Sequence, residues 1–177
     1  STLLTSSHLS DVAAYLGGLL AAERVKYETT AGPDACLDAS ASLILGGQIQ
    51  CQPAELILIY PDSNYIAPSQ SHPYLQIGET KYGKPILDRI ISYDTPVETA
   101  MRCAIVSMDS TLRSNATVGP PIECLFYRRD SIAKEEIYLE LDGNHRYLEA
   151  TRESWDSNIK MAVDQLPSFF SEFSEPE

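Results

Sequence analysis

Positive charge is scarce in this sequence. Thirteen Lys and Arg residues stand against twenty-five Asp and Glu among 177 residues, which gives a formal net charge of −12. The basic residues are scattered, and Arg128-Arg129 is the one adjacent pair. Nucleic acids and anionic membrane surfaces are recognised through basic patches. We therefore expect neither nucleic acid nor a membrane as a partner.

Long apolar segments are also lacking. No apolar run approaches the roughly 18–20 residues that a membrane-spanning helix requires. No basic segment followed by an apolar core indicates a secretory signal, so the sequence predicts a cytoplasmic protein. The length is sufficient for one compact domain. We predict a single domain over residues 1–177 whose acidic end, residues 168–177, frays.

The cysteines and histidines lack the spacing of a metal site. A zinc site requires clustered Cys and His ligands, such as a CxxC pair, and the sequence has no such cluster. We therefore predict no metal and no cofactor, with thiols that are reduced and unpaired. Cys103 and Cys124 lie within apolar runs and are expected to be buried. The cysteines are Cys36, Cys51, Cys103 and Cys124, and the histidines are His8, His72 and His145.

Hydrophobic periodicity and turn residues predict the order of elements. A first helix runs from an N-cap at Ser10 to about Tyr27, and a loop follows it. The predicted strands span 40–49, 54–60, 65–68, 74–78, 122–128 and 136–141, and the later helices span 84–91, 96–112 and 146–166. Three or four of the first strands form an antiparallel meander. This order is typical of a layered α+β sandwich in which helices cover sheets.

Apolar residues at helical spacing predict the buried face of each long helix. These residues are Val12, Tyr15, Leu16, Leu19 and Leu20 in the first helix; Val97, Met101, Ala104, Ile105 and Met108 in the third; and Leu148, Trp155, Ile159, Ala162 and Val163 in the last. The pair Gly17-Gly18 weakens the first helix, since glycine is unfavourable in helix interiors. Either another helix or a subunit approaches closely there, or the weakness is tolerated.

Polar residues collect at the ends of the two middle helices, between Leu75 and Asn115. The polar corner ETKYGK at 79–84 leads into the helix that Pro85 opens, and the next helix ends in the polar run STLRSN at 110–115. Folds built from helices on sheets usually keep their site at such helix ends. We therefore expect the functional site in this stretch.

Three segments resemble one family of bacterial proteins. They are SLILGGQI at 42–49, YLQIGETKYGKPILDRI at 74–90 and VSMDSTLRSNATVGPPIE at 106–123. Together they resemble the Anbu group, the ancestral beta subunits of proteasome-type proteases. The similarity extends from the first helix to the helix that contains Trp155, and its middle motifs are long and specific.

The resemblance implies a four-layer αββα sandwich of two antiparallel sheets covered by helices, the fold of the N-terminal-nucleophile hydrolases. It also implies homo-oligomeric rings or lock-washers in the bacterial cytoplasm, and a threonine peptidase that acts on peptides or proteins. In such enzymes an N-terminal Thr is the nucleophile, and its α-amino group or a bound water takes the hydroxyl proton. A Lys keeps the pKa of that amine low, and an Asp orients the Lys.

The beginning of the chain departs from the family pattern. Family members carry the Thr, Asp and Lys on strands ahead of the first long helix, whereas here no strand pattern precedes Asp11 and no Lys precedes Lys26. We interpret the chain as the C-terminal part of such a protein, without the nucleophile strand and inactive alone. Ser1 and Thr2 are interpreted as an unrelated terminus. Two alternatives stay open: a non-catalytic scaffold that assembles, and a non-proteolytic amidase of the same superfamily.

The resemblance implies auxiliary site residues at two turns. The family has an Arg-Asp-x-x-Ser pattern after the second helix of the pair, and RSNAT stands there at 113–117. Ser114 then takes the Asp position without a carboxylate, Asn115 follows it, and Thr117 takes the Ser position. The corner GETK at 78–81 stands where the family has a supporting serine, so Thr80 is the nearest hydroxyl. The alternative for both turns is structural: a helix C-cap at 114–115, and the first turn of the next helix at Thr80.

Further expectations concern packing around these turns. Asp109 and Arg113, four residues apart on one helix, form an ion pair with a structural role. Lys81 and Lys84 either favour an anionic ligand or, as is usual on a polar corner, remain solvated. Residues 78–83 and 113–117 lie close together and face the place of the missing strands. A long apolar strand edge is exposed.

Overall fold

The computed structural model describes residues 6–31, 38–131 and 137–170, and these ranges contain four helices and two antiparallel sheets. In chain order the elements are α1 (Leu9–Ala31), β1 (Leu43–Gln48), β2 (Ala54–Ile59), β3 (Tyr65–Ile66), α2 (Lys84–Ile90), α3 (Val97–Ser114), β4 (Ile122–Phe126), β5 (Ile137–Leu141) and α4 (Arg146–Asp164). The predicted α+β class is confirmed. Ser1, Thr2, Cys36 and residues 171–177 of the predicted tail lie outside the described residues.

Each sheet is covered by helices on one face. β1, β2 and β3 form the first sheet in that order, and β4 and β5 form the second. Leu45 pairs with Ile57 in the first sheet, and Cys124 pairs with Leu139 in the second. Two separate cores result, one of Leu9, Ala13, Ile57 and Ile59 beneath α1, and one of Ile105, Ile122, Leu141 and Leu148 beneath α3 and α4. The layers therefore follow the order α, β, β, α that the resemblance implied.

Gln48, at the end of β1, joins the two sheets. Its side-chain oxygen accepts hydrogen bonds from the Tyr127 hydroxyl at 2.9 Å and from the Asp130 backbone N–H at 2.7 Å. Its amide nitrogen donates to the Asp130 carboxylate and to the Gln52 carbonyl, each at 2.7 Å. Because Tyr127 and Asp130 directly follow β4, this side chain fixes the second sheet against the first.

A cleft of about 880 Å³ lies between the sheets. Gly46, Gly47 and Leu56 of the first sheet line it, and so do Leu125 and Tyr127 at the second. The space between the two β layers is therefore only partly filled by the described residues.

The first helix is longer than predicted. It begins at Leu9, so Ser10 lies within its first turn rather than capping it. The carboxylate of Asp11 instead accepts a hydrogen bond from the His8 backbone N–H at 3.1 Å, as the third residue of a capping box does. The helix also continues to Ala31, beyond the predicted end at Tyr27. The remaining predicted helices and strands agree with the structure within a few residues, apart from those around 65–78.

Residues 74–78 do not form the predicted strand. β3 already ends at Ile66, short of the predicted 68, because Pro68 has no N–H to donate to a ladder. The segment has a strand-like composition, but the described ranges offer it no neighbouring strand to pair with. Gly78 then turns the chain with a φ of 77°. The meander therefore has three strands, the smaller of the two predicted numbers.

The close approach of a neighbouring turn explains why α1 has glycine at position 17, but it does not explain the glycine at position 18. A Cβ atom at Gly17 would lie 3.0 Å from the carbonyl oxygen of Ser63, in the turn between β2 and β3. The Ser63 hydroxyl donates to the Gly17 carbonyl at 2.9 Å. A Cβ atom at Gly18 would have nothing within 4 Å. The neighbour that requires glycine is thus a turn, neither a helix nor a subunit.

The predicted buried faces of the long helices are only partly buried. Leu148 and Ile105 are buried, and Trp155 is half-buried. The predicted residues that are exposed are Tyr15, Leu19, Val97, Ala104, Met108, Ile159, Ala162 and Val163. Periodicity identifies the apolar face of a helix, but burial also requires a partner. Within the described ranges, the sheet beneath α3 and α4 has two strands.

Cys103 is buried, as predicted, and Cys124 is half-buried. Burial raises the pKa of both thiols above the ordinary value. Cys51 is exposed, and all three thiols are free. None of the described helices is both long and apolar enough to cross a membrane.

Candidate functional site

The two polar corners meet, as the sequence predicted. The side-chain amide of Asn115 donates a hydrogen bond to the Glu79 carboxylate at 3.1 Å. The other oxygen of Glu79 accepts from the Lys81 backbone N–H at 3.0 Å. Glu79 and Asn115 are both half-buried. The turn after α3 and the corner before α2 are therefore fixed to each other by charge-assisted hydrogen bonds.

Asn115 organises the turn that contains two of the predicted site residues. It caps the C-terminus of α3, and its backbone N–H donates to the Thr111 carbonyl at 2.9 Å. Its side-chain oxygen accepts hydrogen bonds from the backbone N–H and the hydroxyl of Thr117, at 2.9 and 2.7 Å. Asn115 and Thr117 therefore act together, in the structural manner that an Asx turn provides. Ser114, the last residue of α3, is exposed beside them.

Thr80 lies in the turn that leads into α2. Its backbone carbonyl accepts a hydrogen bond from the Lys84 N–H at 3.0 Å, and its side chain is half-buried. This contact agrees with the structural interpretation of Thr80 as part of a helix N-terminal turn. The structure places Thr80 next to Glu79, and thus in the corner that Asn115 contacts.

A glycine allows the corner to lie against α3. Gly83 precedes α2, and a Cβ atom there would lie 2.9 Å from the Ser107 carbonyl oxygen, with the Ser107 hydroxyl closer still. The Thr111 hydroxyl donates to that same carbonyl at 2.9 Å, and Ser107 and Thr111 are both buried. Sequence reasoning missed this polar face. The four-residue spacing of Ser107 and Thr111 on α3 and of the C-cap residue Asn115 is the signal that would have indicated it.

Asp109 has a structural role, as predicted, and more partners than the sequence indicated. Its carboxylate lies 3.3 Å from the Arg113 guanidinium and also binds Arg152 of α4. Arg152 donates to the Gly143 carbonyl at 3.2 Å, and Arg113 pairs with Asp156 at 3.0 Å. The Asp109 side chain is 9% exposed. This network holds α4 against α3 behind the Asn115 turn.

Lys84 is engaged, in contrast to the solvated lysine that is usual on such a corner. Its ammonium group donates to the Asp88 carboxylate at 2.7 Å and to the Tyr74 hydroxyl at 3.2 Å, and that hydroxyl donates to Asp88 at 2.5 Å. The hydrogen bond from Lys84 lowers the pKa of Asp88, and the same bond raises the pKa of Lys84. Burial, followed by the bond to Asp88, raises the pKa of Tyr74.

The chemistry of the two corners is that of binding and positioning. Asn115, Thr117, Thr80 and Glu79 offer amide, hydroxyl and carboxylate groups that can hold an amine or a peptide group by hydrogen bonds. Among the described residues, these corners contain no hydroxyl or thiol paired with a base that would activate it. The described residues also include no group of three or more His, Cys, Asp or Glu that can hold a metal ion. The cleft between the sheets is lined by residues outside the two corners.

Comparison with known proteins finds similar solved structures. No protein-family model and no curated protein matches the chain. Anbu (ancestral beta-subunit) from Yersinia bercovieri is 38% identical, with a TM-score of 0.84 over 96% of this chain and 68% of that chain. The helical assembly of the Anbu complex from Pseudomonas aeruginosa is 38% identical, with a TM-score of 0.85 over 95% and 68%. Anbu from Hyphomicrobium sp. strain MC1 is 30% identical, with a TM-score of 0.82 over 96% and 67%.

Proposed function

This chain belongs to the Anbu (ancestral beta-subunit) family, and from that premise we propose that it is part of a proteasome-type threonine peptidase. The peptidase hydrolyses peptide bonds of peptides or proteins with an N-terminal nucleophile. The described residues supply the back wall of the active site. The nucleophile and its Asp and Lys come from polypeptide that these 177 residues do not include.

The contact between Asn115 and Glu79 is the observation that supports this proposal best. It brings together two corners, 36 residues apart, that the family resemblance assigns to one site. Each corner lies at one end of a helix that is held by a neighbouring element. The ion pair of Asp109 with Arg152 holds α3 against α4, and Gly83, just before α2, packs on Ser107 of α3. Groups on such rigid supports hold a substrate or an amine without reorganising during the reaction.

In this assignment Asn115 and Thr117 position the α-amino group of the nucleophile. Ser114 and Thr80 contribute hydroxyl groups at the same wall. The carboxylate nearest to them is Glu79, which reaches the turn from the opposite corner. The proposed role of this wall is therefore to orient the amine that takes the proton from the nucleophile, not to attack the substrate.

Self-association in the bacterial cytoplasm completes the proposal. The relative from Pseudomonas aeruginosa is described as a helical assembly, and we expect this protein to form homo-oligomers as well. The 177 residues are proposed to fold as one domain.

A fluorogenic peptide tests the activity. We expect that this chain does not hydrolyse the peptide and that the product of the complete reading frame does. Changing the N-terminal Thr of that product to Ala should abolish the hydrolysis. Turnover by this chain that a Ser1→Ala substitution abolishes would show that the nucleophile is in these residues after all. A complete product that assembles without turnover supports the non-catalytic scaffold. That second candidate is favoured by the lack of a carboxylate at position 114.

A further inference from the structure

The carboxylate of Glu79 is half-buried between the two corners and is hydrogen-bonded only to neutral groups. One oxygen accepts from the Lys81 backbone N–H at 3.0 Å, and the other accepts from the Asn115 side-chain amide at 3.1 Å. Among the described residues, no cationic side chain forms an ion pair with it. A carboxylate has about four acceptor sites, so two hydrogen bonds leave room for a further donor.

The other charged side chains around the corners are committed to one another. The pairs are Lys84–Asp88 at 2.7 Å, Arg113–Asp109 at 3.3 Å and Arg113–Asp156 at 3.0 Å, and Arg152 also binds Asp109. Lys81 meets Glu79 through its backbone, and its own side chain is exposed. Removing a carboxylate from water costs free energy unless a cation compensates its charge. A cation from outside the described residues would therefore stabilise Glu79.

The position of Glu79 indicates which cation that is. Asn115 contacts Glu79 with its amide nitrogen and Thr117 with its amide oxygen, so the carboxylate, the amide and the hydroxyl surround one turn. The proposed function places the α-amino group of the nucleophile at this turn. Once that group has taken a proton, it is an ammonium ion with three donors. Position 114, in the same turn, has no carboxylate to receive it.

We propose that Glu79 is the positioning residue that holds the α-ammonium group of the N-terminal nucleophile, by accepting a hydrogen bond from it. This inference rests on the proposed function, which supplies the amine. A carboxylate favours the protonated form of a neighbouring amine, so Glu79 raises the pKa of the α-amino group. Glu79 thus determines the pH below which the nucleophile has no neutral base to take its proton.

The pH dependence of peptide hydrolysis by the product of the complete reading frame tests this role. The base takes a proton only while it is neutral, so kcat/KM falls below the pKa of the base. Glu79→Gln keeps the size of the side chain but removes its charge. It should move this acid limb to lower pH by about one unit, since a nearby opposite charge shifts a pKa by about 1–3. A merely structural role would lower kcat/KM equally at every pH.

Two variants control for charge and for geometry. Glu79→Asp keeps the charge, so its acid limb should lie nearer to that of the unchanged protein than to that of Glu79→Gln. Glu98→Gln removes an equal charge from the first turn of α3, about 25 Å from Asn115 at the other end of that helix. Its acid limb should not move, because salt screens a charge at that distance. A limb that Glu79→Asp moves as far as Glu79→Gln would overturn the inference.

A direct measurement of the α-amino group separates this inference from the proposed activity. The pH dependence of its acylation by acetic anhydride, read by mass spectrometry of the N-terminal peptide, gives its pKa without any peptide hydrolysis. A pKa that Glu79→Gln lowers in a protein that hydrolyses no peptide supports Glu79 and counts against the activity. A pKa that Glu79→Gln leaves unchanged overturns the inference, whether or not the peptide is hydrolysed.

Ser114→Asp is the second variant, for the case that Glu79→Gln does not fold. Ser114 is exposed at the end of α3, so the substitution adds a carboxylate to the same turn without burying it. The added charge should raise the pKa of the α-amino group and move the acid limb to higher pH. An unchanged pKa in this variant would show that the amine does not lie at this turn, which also overturns the inference.

Discussion

At the scale of single residues, Asp109 shows how a carboxylate near a candidate site is committed to structure. It is almost fully buried between the guanidinium groups of Arg113 and Arg152. The substitution Asp109→Asn keeps the shape of the side chain but removes its charge. We expect it to lower the free energy of unfolding by about 2–3 kcal/mol, since hydrogen bonds to charged groups contribute about 1.5–3 kcal/mol each. Urea denaturation measures the loss.

Asp156 provides the comparison, because it also pairs with Arg113 but its side chain is 45% exposed. Exposed ion pairs contribute at most about 1 kcal/mol. Asp156→Asn should therefore cost less than about 1 kcal/mol. Equal losses for the two variants would show that Asp109 is no more important than a surface residue.

The cluster of Tyr74, Lys84 and Asp88 predicts a pH dependence at both extremes. The lowered pKa of Asp88 stabilises the fold above its unfolded value near 3.9, and this contribution is lost as the pH falls through the folded pKa. The raised pKa values of Lys84 and Tyr74 stabilise the fold below about 10, and this contribution is lost as the pH rises through their folded pKa values.

The substitution Tyr74→Phe tests the alkaline part of this prediction. It removes the phenol that bonds to Asp88 and Lys84. The stability difference between the two proteins should be constant at neutral pH and shrink above about pH 10, where Tyr74 itself ionises. Urea denaturation at a series of pH values measures that difference. An ultraviolet difference titration in which the missing tyrosine ionises with the ordinary ones would contradict the raised pKa.

Sequence spacing predicted the local contacts of these residues and missed the distant ones. The pair Asp109–Arg113 follows from a spacing of four residues on a helix. Arg152 lies 43 residues from Asp109, and no periodicity links the two positions. In the same way, Asn115 was predicted as a site residue from the family pattern. The family pattern also predicted that the corner at 78–83 lies close to this turn, but not that Glu79 is the residue that contacts Asn115, because that contact depends on how α2 packs on α3.

At the scale of elements, the neighbouring glycines of α1 make a matched pair. Gly17→Ala forces a Cβ atom against the backbone of Ser63, and overpacking typically costs about 1–3 kcal/mol. Gly18→Ala meets no atom within 4 Å and should stabilise the helix by about 0.5–1 kcal/mol. Thermal unfolding should therefore shift in opposite directions. A shift in the same direction for both would show that α1 does not approach the β2–β3 turn closely.

The predicted buried faces of α3 and α4 were confirmed only in part, for a reason that applies to any helix. The spacing of Val97, Met108, Ile159 and Val163 shows that one side of each helix is apolar. Whether that side is buried depends on an element that is distant in sequence, and the second sheet supplies only two strands. The predicted strand at 74–78 was wrong in the same way, because its composition suits a strand but a strand requires a partner.

At the scale of the whole molecule, the two sheets depend on the side chain of Gln48. Gln48→Ala leaves the half-buried Tyr127 hydroxyl and the exposed Asp130 N–H without their acceptor, and each lost hydrogen bond typically contributes about 0.5–1.5 kcal/mol. We expect the two halves to unfold less cooperatively. Fluorescence of Trp155, which lies in α4, should then change before the far-ultraviolet circular dichroism of the whole chain. In the control Gln50→Ala, whose side chain is exposed, the fluorescence and circular dichroism transitions should coincide. Coincident transitions in Gln48→Ala as well would contradict this role.

The architecture of the whole chain was predicted better than its packing. Long motifs at 74–90 and 106–123 indicated the family, and the family implied the order of layers that the structure has. The sizes of the two sheets, and the surfaces that they leave uncovered, depend on contacts between remote segments. Composition and periodicity do not predict those contacts.

The rates at which the cysteines are alkylated can report local opening of the structure. A cysteine reacts with an alkylating reagent as its thiolate, and burial raises the pKa of Cys103 and Cys124. Labelling of buried Cys103 therefore requires a local opening of α3, and half-buried Cys124 should react more slowly than exposed Cys51, which provides the reference rate. The ratio of the Cys124 rate to the Cys51 rate reports how often the second core opens, because Cys124 packs against that core. Any segment that completes this sheet must slow the labelling of Cys124.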